Sequence, residues 1–289
     1  MFASFCGSLA LVSQADELIV YAISAPRPTN WISPRSLLTS TILNSVKSSY
    51  APNGHILIEL RHGQHSWMTS MTSARKLQTF STTIRKGLGL SSLYYDFDGD
   101  LDSAEDSLNF LNRASEDGRL ASIQIPVSDT VMEEMLIFLD LWIRAGSFRH
   151  YRGGQIASSG LGAGCADFVM WFMNRALNAQ VPILDWMREL YLPKDLLEHT
   201  SPLKIYRRKE WAVDEQDGHF FMIPDPELIF RWIEKHSPIS YELQLSQNDL
   251  ANEKTHFSAK LIHEVEFQSP YPTESENTVK EIWNKILIH

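Results

Sequence analysis

The stretch "NGHILIELRHGQHSWMTSM", residues 53–71, decides how this chain is read. Asn53-Gly54 is a turn signal, residues 55–61 alternate as a strand, Gly63 makes a second turn, and 65–71 return as another strand. A hairpin is expected here, and with it an antiparallel sheet. Side chains alternate along a strand, so His55, Leu57 and Glu59 share one face while Ile56, Ile58 and Leu60 share the other. His55 opens the strand at its mouth. His62 falls in the turn, where solvent takes it.

Working outward, "ELIVYAI" (17–23) reads as a strand, and after a loop with Pro26, Pro28 and Pro34 a helix is predicted over "SLLTSTILNSVKS". Residues 72–86 are expected as loop or helix, "SLYYDF" (92–97) as a short strand and "RLASIQIPV" (119–127) as a clear one. From the end of the first of these runs an acidic segment follows, with Asp96, Asp98, Asp100, Asp102 and Glu105. It fails as a calcium loop: counted from Asp96, position six is Leu101 and position twelve Ser107. A solvated acidic loop is the reading. Ser128 or Asp129 caps a helix whose apolar face is Val131, Met135, Phe138, Leu139 and Trp142, with Gly146 ending it. Later come a helix in "PDPELIFRWIEKH" (224–236), a strand pair in "ISYELQL" and "AKLIHEVEF", and a final helix over 273–288. Strands, helices and hairpins mixed in this way point to α+β.

The 289 residues are 44% hydrophobic and 21% charged, enough for a real core. A net charge of -9 argues against nucleic acid as a partner, since phosphate binding needs a basic footprint. The basic run Arg207-Arg208-Lys209 is flanked by Glu210, Asp214 and Glu215 and reads as a solvated face. No run approaches the ~18 apolar residues of a spanning helix. Residues 1–15 carry a short apolar core, with Ser13 and Ala15 placed as a cleavage site before Asp16. Export to a periplasmic or secreted location is expected if they are a signal, and a cytoplasmic one if not. Residues 16–200 are expected as one domain and 201–289 as an α/β extension packed on it. The chain has two cysteines, and removing the leader would take Cys6 and leave Cys165. A lone thiol in an exported protein is either buried structure or a reactive group.

Cys165 stands in "GLGAGCADFVMWF", residues 160–172, where a glycine-rich loop becomes an apolar helix. A helix N-terminus favours the thiolate, and the same unpaired N–H groups can hold an oxyanion. Gly160, Gly162, Gly164 and Ala166 are small enough to let an acyl group approach. The plain alternative is a buried structural cysteine. A phosphate cradle is poorly matched, for "GLGAG" has neither the lysine and hydroxyl of a P-loop nor the G-x-G-x-x-G spacing. A nucleophilic cysteine needs a base and the base an orienter. His55 is the base candidate. His65, on the return strand, or Glu59 could hold its ring. Tyr151 and Arg152, just ahead of the glycines, are candidates to flank the site, and Trp67, Tyr94, Tyr95 and Trp171 to line a groove.

"GHILIEL" followed far downstream by "GCADFVMWFMN" resembles the NlpC-type papain-like superfamily, in its circularly permuted branch, to which the lecithin–retinol acyltransferase group belongs. The resemblance spans roughly residues 16–180. It implies a papain-like antiparallel sheet packed against the cysteine helix, with the histidine strand first. It further implies Cys165 as nucleophile, His55 as base and a polar residue on the neighbouring strand, matched best by His65, as orienter. Substrate contacts would fall on Tyr151, Gly164 and Ala166. The implied chemistry is acyl transfer or hydrolysis on peptide, cell-wall or lipid acyl substrates, with neither cofactor nor metal. A competing reading is a non-catalytic, envelope-associated binding protein that keeps the fold.

Overall fold

The structure, a computed structural model, describes residues 16–48, 50–74, 86–178, 182–197 and 200–237. The leader, most of 72–86, "ISYELQL", "AKLIHEVEF" and the helix expected over 273–288 lie outside the described residues.

Strand β1 (Glu17–Ile23) is buried from Leu18 to Ile23, because both its edges and both its faces are covered. Antiparallel neighbours β2 (His55–His62) and β6 (Leu120–Pro126) take its edges, and β3 (His65–Thr69) extends the sheet beyond β2. Leu18, Val20 and Ala22 face the same way as Ile56, Ile58 and Leu60, under helices α4 (Cys165–Ala176) and α6 (Pro226–His236). Ile19, Tyr21, Ile23 and Leu57 face the opposite way, against Leu111 and Ala114 of α2 (Ala104–Glu116). Helix α3 (Asp129–Arg144) backs α4, with Phe138 stacked on Trp171 at 3.5 Å between ring centroids and Trp142, Phe168 and Phe172 around them. Each such side chain, fully buried, contributes roughly 2–3 kcal/mol. The helix that begins at Cys165 is therefore clamped to the sheet.

A second sheet has the order β4 (Met71–Ser73), β5 (Phe97–Leu101), β7 (His150–Tyr151). Strands β8 (Met187–Pro193) and β9 (Gly218–Pro224) pair with each other. Helix α1 (Pro34–Lys47) packs on α5 (Pro202–Arg207) over Leu37, Leu196 and Ile205. The described residues beyond 200 join the same body, since α6 lies on β1 and β6 and α5 on α1.

The expected mixture of antiparallel strands and helices is what the chain forms. Two local readings are corrected. "SLYYDF" is no strand: Gly89–Leu93 is a 3-10 turn, and the strand begins only at Phe97. Leu90 and Leu93, three apart, both enter the Leu37–Leu196 cluster, a helical spacing. The acidic segment is no solvated loop either. Its first half is β5, and Ser103 caps α2 by accepting the Asp106 N–H. The β8–β9 pair had no counterpart in the sequence reading.

Candidate active site

The site lies where β3 leaves β2. Their pairing runs from His62↔His65 to Ile58↔Thr69, and two residues further Met71 would face Ile56. Met71 instead pairs with Leu101 in the second sheet. Among the described residues the edge of β2 at Ile56 is thereby left without a strand. Ser70 Oγ donates to the Ile56 carbonyl, and the Ile56 N–H donates to the sulfur of Cys165. The same departure fixes a carboxylate. The Asp102 N–H donates to Ser70 O at 2.8 Å and Thr69 Oγ1 donates to Asp102 O at 3.1 Å, which holds Asp102 at the end of β5.

His55 Nε2 lies 2.7 Å from Asp102 Oδ2 in a buried pair. With Nε2 taken by the carboxylate, Nδ1 is left to meet the Cys165 sulfur, to which the ring is hydrogen-bonded. Phe110 of α2 stands edge-on against the imidazole at 5.5 Å and shields that side. Burial opposes charging the ring. The bond to Asp102, and then the bond to Cys165 and both charges, outweigh burial and push His55 up to about 9. Burial likewise opposes a thiolate at Cys165. The His55 bond and charge, the Ile56 N–H and the Tyr151 hydroxyl outweigh it and hold the thiol below its ordinary value. Each group thus favours the charged form of the other. Tyr151 is hydrogen-bonded to the sulfur, and the neighbouring thiolate, then burial, hold its phenol well above the usual range, so it remains a donor.

Cys165 is the first residue of α4, after Gly164, which offers no side-chain cap. Asp167 supplies what the cap lacks. Its buried carboxyl accepts from the backbone N–H groups of Gly164, Gly154 and its own residue, tying the helix start to the loop before it. Burial, then the Cys165 charge, push Asp167 well above the usual carboxylate range.

The sequence candidates distribute unevenly over this geometry. Cys165, His55 and Tyr151 meet. His65 does not: the turn pairs it with His62, and the seven residues separating His62 from His55 put it roughly 23 Å up the strand. Glu59 is occupied elsewhere, accepting from Tyr21, Arg61 and Ser66. The partner of His55 is Asp102, from the segment read as solvated. Ala166 is packed into the core, which leaves its methyl unavailable to a substrate. The glycines serve closeness more than access. A Cβ at Gly162, where φ is 100°, would stand 2.3 Å from His150 O, and one at Gly164 3.3 Å from Asp167 Oδ2. Arg152 points to Asp96, at 2.7 Å, and Trp171 belongs to the core stack.

Sequence reasoning missed Asp102, Asp167 and the Ile56 N–H. A capping signal, Ser103 with Asp106, pointed to a helix start directly after Asp102. Nothing local marked the bare strand edge. Among the described residues no helix is long and apolar enough to cross a membrane. Compared with known proteins, the chain matches no family model, no curated protein and no solved structure.

Proposed function

We propose that this protein is a thiol-dependent hydrolase or acyltransferase, papain-like in circularly permuted order, that works through an acyl-enzyme on Cys165. One observation carries the reading: a buried carboxylate holds one nitrogen of His55 while the other nitrogen meets a sulfur at a helix start. In the reaction the Cys165 thiolate attacks a carbonyl carbon, and the backbone N–H of Cys165 and the Tyr151 hydroxyl receive the developing oxyanion. The bond to the leaving group breaks as His55 gives that group its proton. His55 then takes a proton from water, or from an acceptor hydroxyl or amine, which attacks the acyl-enzyme and frees the sulfur. Asp102 keeps the ring in the productive tautomer and stabilises its charge. Asp102, and not His65, takes the third role here.

The substrates that suit this chemistry are peptides, cell-wall peptides or lipid acyl groups, and export accords with a single remaining thiol. The test pairs two measurements. Iodoacetamide should label Cys165 rapidly near neutral pH and slowly in His55→Ala. Wild type should release product from acyl esters or peptidoglycan fragments while Cys165→Ser does not. Equal slow labelling in both proteins, with no turnover, would return the chain to the non-catalytic binding class.

A further inference from the structure

The chain holds 35 acidic residues among 289, yet none lies between Leu18 and Ile58, where that frequency would give about five. The same stretch contributes Arg27, Arg35 and Lys47. Helix α5, packed on α1, lies in a second acid-free stretch, Thr200–Lys209, with Lys204, Arg207, Arg208 and Lys209. The two stretches form one surface. The Arg35 N–H donates to Arg208 O at 3.2 Å, the Arg35 guanidinium donates to the Tyr206 hydroxyl at 2.8 Å, and Trp211 Nε1 donates to Trp31 O at 2.7 Å. Among the described residues only one of these seven cations, Lys204, has a carboxylate partner, Asp195 at 3.3 Å. In a chain of net charge -9 this is a pronounced local reversal.

Two further features distinguish the surface from an ordinary solvated one. A cleft of about 380 Å³ separates α1 from the loop before it, lined by Arg27, Asn30, Arg35, Ser36 and Asn44. Asn44 is fully buried and donates Nδ2 to Arg27 O at 2.9 Å, so the cleft's donors for an anion are the Arg27 and Arg35 guanidinium groups. Aliphatic side chains also stand out among the cations: Val46 is 82% exposed, Ile32 80%, Leu203 55% and Leu43 46%. On α1 the buried face holds Leu37 and Asn44, so Ile42, Leu43 and Val46 are the outward side chains, the inverse of a water-facing helix.

We propose that the α1–α5 face docks on an anionic phospholipid surface, its aliphatic side chains entering the headgroup boundary and the Arg27–Arg35 cleft taking a lipid phosphate. Cations alone would suit any polyanion. The exposed aliphatics favour lipid, because they gain from an acyl boundary and offer a nucleic acid no stacking surface. The proposal stands apart from the thiol chemistry, since none of these residues belongs to the candidate site.

The full chain, sedimented with vesicles, should bind phosphatidylcholine mixed with phosphatidylglycerol at least about tenfold better than phosphatidylcholine alone, and less at high salt. Arg27→Glu and Val46→Glu, both at exposed positions, should each weaken that binding roughly fivefold or more, with unchanged thermal melting and unchanged Cys165 labelling. Arg231→Glu, on α6, should leave it unaltered. Equal binding to both vesicle types, no binding to either, or equal binding by all three variants would overturn the proposal. So would binding of inorganic phosphate or single-stranded RNA without vesicle binding.

Discussion

Strand β2 carries a histidine at each end, and each meets an aspartate at the same 2.7 Å: His55 with Asp102, and His62 with Asp16. The surroundings differ. The side chains of His55 and Asp102 are 10% and 2% exposed, whereas His62 is 43% exposed and only Asp16 is covered. His55 also faces a sulfur at a helix start and a shielding phenyl ring. His62 caps a hairpin turn, whose Gly63 N–H donates to Asp16 at 3.3 Å. A histidine–aspartate pair is thus a structural element in itself. What sets the His55 pair apart is the third group, the Cys165 sulfur, and the exclusion of water.

That contrast can be broken at several points. The largest effect is expected for Cys165→Ser, which should lower turnover roughly ten-thousandfold in a steady-state assay. His55→Ala should slow acyl transfer about a hundred- to ten-thousandfold, while His62→Ala leaves it unaltered. The pH dependence gives a finer measure. Activity should rise as Cys165 ionises, below the ordinary thiol range, and fall as His55 loses its proton near 9, a bell read from kcat/KM against pH. Asp102→Asn should bring the upper limb down, because the Asp102 bond is the foremost influence raising the ring against burial. Asp16→Asn should leave both limbs in place. Its effect is on the fold alone, about 1 kcal/mol in urea unfolding.

The same contrast explains what could be read from the sequence. His55 and Cys165 were legible because each announces itself locally, one by a turn followed by an alternating strand, the other by glycines followed by an apolar run. Asp102 was not. It sits in a string of acids that composition marks as solvent-facing, and it is buried only because β3 abandons β2 at Ser70. The hairpin pointed to His65 by proximity in sequence, but register sends His65 to the opposite end. Strand pairing beyond the turn depends on where the chain goes next, and no local pattern carries that. Helix α2 could have been found from Ser103 and Asp106. The β8–β9 pair joins segments more than twenty residues apart, and the Asp217-Gly218 turn that opens β9 does not say which strand it will meet.

The bare edge of β2 has a consequence of its own. An unpaired strand edge is an open template for pairing with another chain, and natural proteins cover or blunt such edges. Here the start of α4 does that covering, with the Cys165 sulfur taking the Ile56 N–H and Ser70 closing the carbonyl beside it. The sulfur of the candidate site is at the same time a plug. Replacing it with a methyl group would uncover a backbone donor as well as remove a nucleophile, so the serine variant is the sounder measure of lost chemistry, and self-association is the behaviour to watch for in the alanine one.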